Sequence, residues 1–144
     1  MTQEEKELLL KDLCARLPYE VKCLVSFDDG TKRIMTLKTG LPNSFGRWDF
    51  YNENCSGCSN NFKPYLRPMS SMTEEEKSDL EEYSKQELDK YADSVLNHAD
   101  KDTIRAFQIA LIYKDIDWYN KYHFDYRGLI PMGLALEAPE DMYN

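Results

Sequence analysis

The residues best suited to chemistry lie near the end of the chain, where aromatic, basic and acidic side chains alternate. His123, Asp125 and Arg127 are spaced two apart. A histidine–aspartate pair can transfer protons, and an arginine can bind a phosphate or a carboxylate. Residues two apart share a face only in an extended segment, because a helix turns them away from each other. The structural interpretation is that Asp125 and Arg127 stabilise a turn while His123 packs against a ring.

The same stretch provides a candidate ligand site without a catalytic residue. Aromatic rings can stack on a planar base, and an arginine can bind a phosphate, so the pattern fits a small nucleotide-like ligand. The candidate ligand-binding residues are Trp118, Tyr122, His123, Tyr126 and Arg127. An enzyme built on His123 and Asp125 is the least supported hypothesis, and no catalytic residue is assigned.

A second chemical motif is the pair Cys55 and Cys58, a C-x-x-C within the polar run NENCSGCSNN. Two thiolates at this spacing can bind one metal ion, but a structural zinc normally needs four ligands and the chain has no second C-x-x-C. A redox C-x-x-C should open a helix, and the residues after Cys58 are poor helix formers. We therefore interpret segment 52–61 as an ordinary loop with reduced thiols, and we expect no cofactor.

Acidic residues are concentrated in the second half of the chain. Residues 1–68 carry ten basic and nine acidic side chains, whereas residues 69–144 carry eight basic and seventeen acidic ones. Such a half repels phosphate backbones, so nucleic-acid binding is poorly supported. The acidic segment is either a solvated helix face or a surface that competes for a basic groove on a partner. The candidate partner-binding residues are Glu81, Glu82 and Asp89.

The sequence lacks the signatures of several common functional classes. There is no P-loop, G-x-G-x-x-G, G-x-S-x-G, H-E-x-x-H or EF-hand loop. No apolar run approaches the ~20 residues that cross a bilayer, and the first residues lack the parts of a signal peptide. We therefore expect a cytoplasmic, non-enzymatic protein without a membrane segment.

The hydrophobic pattern predicts an α+β fold: an N-terminal helix on a small antiparallel sheet or partly open barrel, followed by a helical half. We expect one domain, 1–144, with a joint near residue 68. Thr2 and Glu5 form a capping box for the first helix, which should end near Arg16. Its predicted buried stripe consists of Leu9, Leu10, Leu13, Cys14 and Leu17.

A β-hairpin is predicted after this helix. Apolar and polar residues alternate over 19–27, an Asp-Gly turn follows, and residues 32–38 return. A two-residue turn would place Val25 opposite Ile34 and Cys23 opposite Thr36. Segment 47–51 is a candidate third strand, and segment 62–72 is predicted to be a packed crossover whose backbone is limited by Pro64 and Pro68.

The second half is predicted to be helical. Thr73 and Glu76 form a second capping box, for a helix over 74–98 with inner residues Leu80, Tyr83, Leu88, Tyr91, Val95 and Leu96. Residues 103–113 are apolar nearly all round, which predicts a central helix. A further helix, capped by Asp115 or Asp117, should carry the aromatic residues and end near Gly128. The tail after residue 139 should be mobile unless Met142 and Tyr143 dock.

Three strings of this chain resemble a known group of proteins. They are TQEEKELLLKDLCARLPYEVK at the start, KPYLRPMSSMTEEEK in the middle and DWYNKYHFDYRGLIPMGLALEAPEDMY near the end. Together they span about half of the chain and resemble, in the same order, a family of short uncharacterised proteins of gut bacteria, their phages and mobile elements. Residues 21–61 depart from that pattern. The resemblance implies no particular activity and no particular catalytic residues.

The functional expectation combines these observations. Ten tyrosines suit an interface, because tyrosine buries area and keeps a polar tip. The first hypothesis is a non-enzymatic binding or accessory protein that acts on a protein partner. The alternatives are a small-ligand protein that uses the aromatic segment and an acidic inhibitor or nucleic-acid mimic.

Overall fold

The computed structural model describes residues 1–98 and 100–143, and it describes only the backbone of residues 87, 88 and 90–98. The helices are α1 (Gln3–Arg16), α2 (Glu74–His98) and α3 (Lys101–Lys121). The strands are β1 (Lys22–Ser26), β2 (Lys32–Leu37), β3 (Trp48–Tyr51), β4 (Ser56–Ser59), β5 (Asn61–Leu66) and β6 (Leu136–Glu137). The predicted α+β class, with an N-terminal helix and later helices, is confirmed.

The strands form one open, mixed sheet in the order β4-β3-β2-β1-β5-β6. Neighbouring strands are antiparallel except β5 and β6, which are parallel. Because β4 and β6 are its two edges, the partly open barrel is not confirmed. One cluster of buried side chains joins α1, the sheet and the C-terminal segment, and it includes Leu13, Val21, Phe50, Leu66 and Leu129.

The first helix has the predicted cap. The Glu5 N–H donates to Thr2 Oγ1 at 3.1 Å, and the Thr2 N–H donates to the Glu5 carboxylate at 2.7 Å. Leu9 and Leu13 are buried, but Leu10 is 36% exposed. The predicted stripe was therefore too wide, and polar residues of α1 occupy part of its buried side.

The hairpin of β1 and β2 differs from the prediction by one residue in register. The observed pairs are Cys23 with Met35 and Val25 with Arg33, in place of Cys23 with Thr36 and Val25 with Ile34. The turn holds three residues rather than two, since the Phe27 N–H donates to the Thr31 carbonyl and Gly30 takes a φ of 83°. As a result Met35 is buried and Ile34 is exposed.

Strand β4 passes through the segment that we expected to be a loop. It pairs with β3, whose Phe50 is fully buried. Glycine and serine have low strand propensity, which hid this strand in the sequence. A Cβ on Gly57 would lie 2.8 Å from the Phe27 ring. Gly57 therefore permits a close packing contact with the Phe27 ring.

The first part of the segment predicted to be a packed crossover, where prolines limit the backbone, is strand β5. Pro64 is nevertheless fully buried within β5. It pairs with Cys23 at the end of the ladder between β5 and β1, and the ladder with β6 begins at Tyr65. Pro64 thus lies where one ladder gives way to the other.

Helix α2 has the predicted bounds and capping box. The Glu76 N–H donates to Thr73 Oγ1, and the Thr73 N–H donates to the Glu76 carboxylate, both at 3.1 Å. Leu80 and Tyr83 of the predicted inner stripe are half-buried. The side chains of its other predicted members lie outside the described part, namely Leu88, Tyr91, Val95 and Leu96.

Helix α3 contradicts two predictions. It is one continuous helix, and Asp115 starts no new helix but accepts a hydrogen bond from Ser84 Oγ of α2 at 2.7 Å. The segment expected in the core is exposed, with Ile104 38% and Ile112 60% accessible. The physical reason is that α2 lies against one side of α3, and one neighbouring helix covers only one side. None of the helices formed by the described residues has the length and hydropathy of a bilayer-spanning segment.

Candidate binding cleft and buried polar cluster

The aromatic residues near the end of α3 pack mainly on one another. Three ring pairs stack, with centroid distances of 5.7, 5.8 and 3.7 Å: Trp118 with Phe124, Tyr119 with Tyr126, and His123 with Tyr143. Stacked faces are not available to a planar ligand. The candidate ligand residues therefore serve first to join α3 to the rest of the fold.

The chain leaves α3 earlier than predicted. The helix ends at Lys121, and His123 adopts a positive φ of 62°, which an α-helix cannot contain. The Arg67 N–H then donates to the His123 carbonyl, and the Asp125 N–H donates to the Arg67 carbonyl, both at 2.8 Å. These bonds dock the turn on the end of β5. Gly128 has the predicted left-handed conformation, with φ of 74°, but in the turn that follows.

The two residues of the proposed acid–base pair have separate roles. The Asp125 carboxylate accepts from the backbone N–H groups of Leu129 and Ile130 at 2.7 and 2.8 Å. This confirms that Asp125 stabilises a turn. His123 Nδ1 is buried and has no hydrogen-bond partner. Burial first, and then the charge of Arg16, lower the pKa of His123 to about 4.

The C-terminal tail docks through Tyr143. Its hydroxyl donates to the Tyr65 carbonyl at 2.7 Å and accepts from the Lys22 N–H at 3.1 Å. Its ring covers the His123 imidazole, and burial raises the pKa of the Tyr143 hydroxyl. Tyr143 therefore docks, which is the alternative left open for the tail, since its ring and its hydroxyl both have partners.

A buried ion cluster connects α1 to the aromatic turn. Arg16 and Asp12 are both fully buried, and two guanidinium N–H groups of Arg16 donate to the two carboxylate oxygens of Asp12 at 2.8 and 3.0 Å. Arg16 also donates to the Phe124 carbonyl at 2.7 Å. Arg127 Nε lies 3.3 Å from Asp12 Oδ1, outside hydrogen-bond geometry, and both guanidinium groups lie over the Tyr126 ring.

Sequence reasoning missed this cluster because it followed the leucines alone. Asp12 and Arg16 are four apart, the spacing of a helical ion pair, and Asp12 lies three residues after the buried Leu9. That signal shows that the pair shares a face with the core. Its third member, Arg127, is 111 positions from Arg16, and nothing local connects them.

An open cleft of about 300 Å³ lies between α2, the end of α3 and the short 3₁₀ turn after α1. We name it the aromatic cleft. It is lined by four aromatic side chains, two carboxylates and one ammonium group: Tyr19, Tyr83, Trp118, Tyr122, Asp79, Asp117 and Lys121. Of the five predicted ligand residues, Trp118 and Tyr122 line this cleft. The other three, His123, Tyr126 and Arg127, lie in the buried region around Asp12 and Tyr143.

The three predicted partner-binding residues are all exposed on α2. Helical spacing separates them, since Glu82 and Asp89 are seven apart and share a face while Glu81 points elsewhere. Asp79, at the edge of the aromatic cleft, is three residues before Glu82 and lies on that same side. Helical spacing therefore places Glu82 and Asp89 closer in direction to Asp79 than Glu81, and none of the three lines the cleft.

The two cysteines of the C-x-x-C lie on opposite faces of the sheet. Cys55 packs against the core beside Gly57, whereas Cys58 pairs with Asp49 on the other face. An odd spacing in extended chain has this effect, and it prevents the two thiols from binding one metal ion. No cluster of three metal-ligating side chains exists among the residues whose side chains are described.

No protein-family model, no curated protein and no solved structure matches the chain.

Proposed function

We propose that this chain is a non-enzymatic accessory protein that binds a protein partner by seating an arginine side chain in the aromatic cleft. The supporting observation is the combination of four rings with two carboxylates around one open cavity. A guanidinium group stacks on aromatic faces and pairs with carboxylates, so both kinds of lining group favour the same ligand.

The surrounding charge supports a basic partner. Glu82 and Asp89 extend the negative surface of Asp79 along α2, and all three are exposed. Charges arranged in this way steer a partner of opposite sign and raise its association rate. We therefore propose that the partner carries a basic segment, with one arginine in the cleft and its neighbours along α2.

The same lining disfavours the nucleotide-like alternative. Asp79 and Asp117 would repel a phosphate, and among the residues with described side chains Lys121 is the one basic residue that lines the cleft. Arg127, the predicted phosphate ligand, lies beside Asp12 instead. The acidic-mimic alternative uses the same face of α2 but does not need the rings, and this difference makes it testable.

The first prediction concerns binding of a fluorescent Gly/Ser peptide that contains three arginines. We expect Tyr122→Ala and Asp79→Asn each to weaken binding about tenfold, because each removes a contact worth roughly 1–2 kcal/mol. Fluorescence anisotropy measures the Kd. Peptides with alanine or lysine in place of arginine establish the ligand preference.

The matched control uses two neighbouring glutamates of α2. Glu82→Lys should weaken peptide binding strongly, whereas Glu81→Lys makes the same charge change on another side of the helix and should have a small effect. Equal losses for both would indicate long-range charge alone and contradict the cleft. Charge-dependent binding that is insensitive to Tyr122→Ala would support the acidic mimic, and equal binding of the alanine peptide would refute the proposal.

A second prediction concerns Lys121, which lines the cleft with its ammonium nitrogen 5.4 Å from the centre of the Tyr122 ring. This lysine competes with an incoming arginine for the same ring. We therefore expect Lys121→Ala to strengthen peptide binding about threefold, in keeping with cation–π energies of about 0.5–1 kcal/mol at exposed sites. Weaker binding by this variant would show that Lys121 is itself part of the ligand site.

A further inference from the structure

A second cleft, of about 530 Å³, lies between α1 and the strands β3 and β5. We name it the leucine cleft. Six apolar side chains line it, namely Met1, Leu9, Leu10, Leu13, Trp48 and Phe62. Leu9 and Leu13 belong to the buried core, whereas Trp48 and Phe62 are half-buried, with ring centroids 5.6 Å apart. The cleft therefore reaches the core, and its volume and apolar lining are those of a small-ligand site.

The mouth of the leucine cleft is apolar as well. Met1 and Leu10 line the cleft and are 67 and 36% exposed. Phe45 is 86% exposed and directly precedes Gly46, a further lining residue. Exposed apolar side chains grouped around a concave site are typical of a surface that binds an apolar ligand. A ligand of this cleft therefore has a hydrocarbon or aromatic body.

Lys6 is the one charged side chain among the described residues that line the leucine cleft. Its ammonium group makes no ion pair or hydrogen bond with a residue of the described part of the chain. A lysine on an apolar wall buries its stem and keeps its ammonium group in water, so Lys6 brings a positive charge to the mouth. Asn60, between β4 and β5, adds an amide to the lining. An ammonium and an amide N–H both donate to a carboxylate.

The charge of this cleft differs from that of the surrounding protein, whose net charge is −8. Three other clefts on the described surface each include two or three carboxylates, as Asp79 and Asp117 do in the aromatic cleft. The described lining of the leucine cleft contains neither aspartate nor glutamate. An anion therefore meets an opposite charge in this cleft and like charges in the other three.

We infer that the leucine cleft binds a small amphipathic carboxylate, with its charged end at Lys6 and its apolar body between α1 and the rings of Trp48 and Phe62. Lys6 and Leu13 lie on one face of α1, two helical turns or about 10 Å apart. An extended medium-chain fatty acid such as octanoate matches this length. The inference does not rest on the aromatic cleft, because the two clefts have no described lining residue in common.

An NMR titration of the full chain with octanoate measures both the Kd and the position of the ligand. The chain has two tryptophans, so the indole N–H signals of Trp48 and Trp118 report on the two clefts separately. We expect a saturable shift of the Trp48 signal and no comparable shift of the Trp118 signal. Octanol has the same body without the charge and should bind about fivefold more weakly at low salt. Absence of a saturable shift at Trp48, or equal affinity for the alcohol, overturns the inference.

The role of Lys6 is tested with a matched pair of variants on α1. Lys6→Gln should weaken octanoate binding about fivefold and leave octanol binding unchanged, which would connect the carboxylate with this lysine. Lys11→Gln makes the same charge change at an exposed residue outside the cleft and should have little effect. Equal losses for the two variants would indicate a general effect of net charge and overturn the inference.

A second pair of variants tests the position of the apolar body. Leu10→Asp should abolish octanoate binding, because it places a carboxylate on the apolar wall. Ile109→Asp alters a residue of α3 that is 45% exposed and should leave binding intact. Circular dichroism verifies that both variants fold. Binding by Leu10→Asp with the affinity of the parent chain overturns the inference. A Trp48 shift that depends on protein concentration without octanoate also overturns it, because a second copy would then occupy the cleft.

Discussion

Replacing Asp12 by alanine is expected to lower the free energy of unfolding by about 3–5 kcal/mol, the usual cost of removing one partner of a buried ion pair. Asp12 and Arg16 have no exposed side-chain surface, and Arg16 has one guanidinium nitrogen that already lacks a partner. Without the carboxylate, the buried charge of Arg16 has no close counterion among its described contacts. Arg127 is 29% exposed and can gain water, so its share of the loss is smaller.

Urea unfolding at one fixed protein concentration measures this loss. The control is Lys77→Ala, which breaks the exposed pair of Lys77 with Glu74 and should change the unfolding midpoint little. The double variant Asp12→Leu with Arg16→Met should be more stable than Asp12→Ala, because it removes both charges. A loss for Asp12→Ala no larger than that of the control would contradict a structural role for the cluster.

Local rules predicted those parts of the fold that local interactions determine. The capping boxes at Thr2 and Thr73 fix the starts of α1 and α2, since the bonds join residues three apart. The hairpin was predicted from alternation, but its register depends on whether the turn has two or three residues. The pattern of Asp28-Asp29-Gly30 allows both, and only the glycine position in the folded turn decides between them.

The errors arose where contacts distant in sequence override the local signal. Gly57 looks like a flexible loop residue, but the Phe27 ring, 30 positions away, requires a glycine there within a strand. Pro64 looks like a strand breaker, but it lies between two strand ladders. The apolar residues of α3 look like core, and hydrophobicity alone cannot distinguish a helix surrounded by the core from one that packs on a single neighbouring helix.

The candidate site was predicted in part for the same reason. Trp118 and Tyr122 are four apart on one helix, so the sequence brings them together. Tyr19, in the 3₁₀ turn after α1, and Tyr83 of α2 line the same cleft because both elements lie against the end of α3. No local pattern in the sequence predicts this packing. The ion cluster and the cleft share that packing, since Asp12 and Arg16 anchor the turn that follows α3. Neither Asp12 nor Arg16 lines the cleft. Loss of the ion cluster should therefore affect the cleft by shifting the residues that line it.

The folded chain should also lose stability in mild acid through His123. In the unfolded chain this histidine titrates near 6.5, whereas burial and then Arg16 lower its pKa in the folded chain to about 4. Between these values the unfolded chain binds a proton that the folded chain does not. Stability therefore rises with pH from 4 to 6.5, and the histidine contributes about 3 kcal/mol that is lost as the pH falls through that window.

The measurement is urea unfolding of the parent chain and of His123→Asn at several pH values between 4 and 7. Asparagine tolerates the positive φ of 62° at this position and does not titrate. Carboxylates protonate in both proteins, so the difference between the two pH profiles isolates the imidazole. We expect the variant to have the shallower profile, whatever its stability at pH 7. Parallel profiles would mean that His123 accepts a proton in the folded chain as readily as in the unfolded chain. That result would contradict the burial of this imidazole against Tyr143.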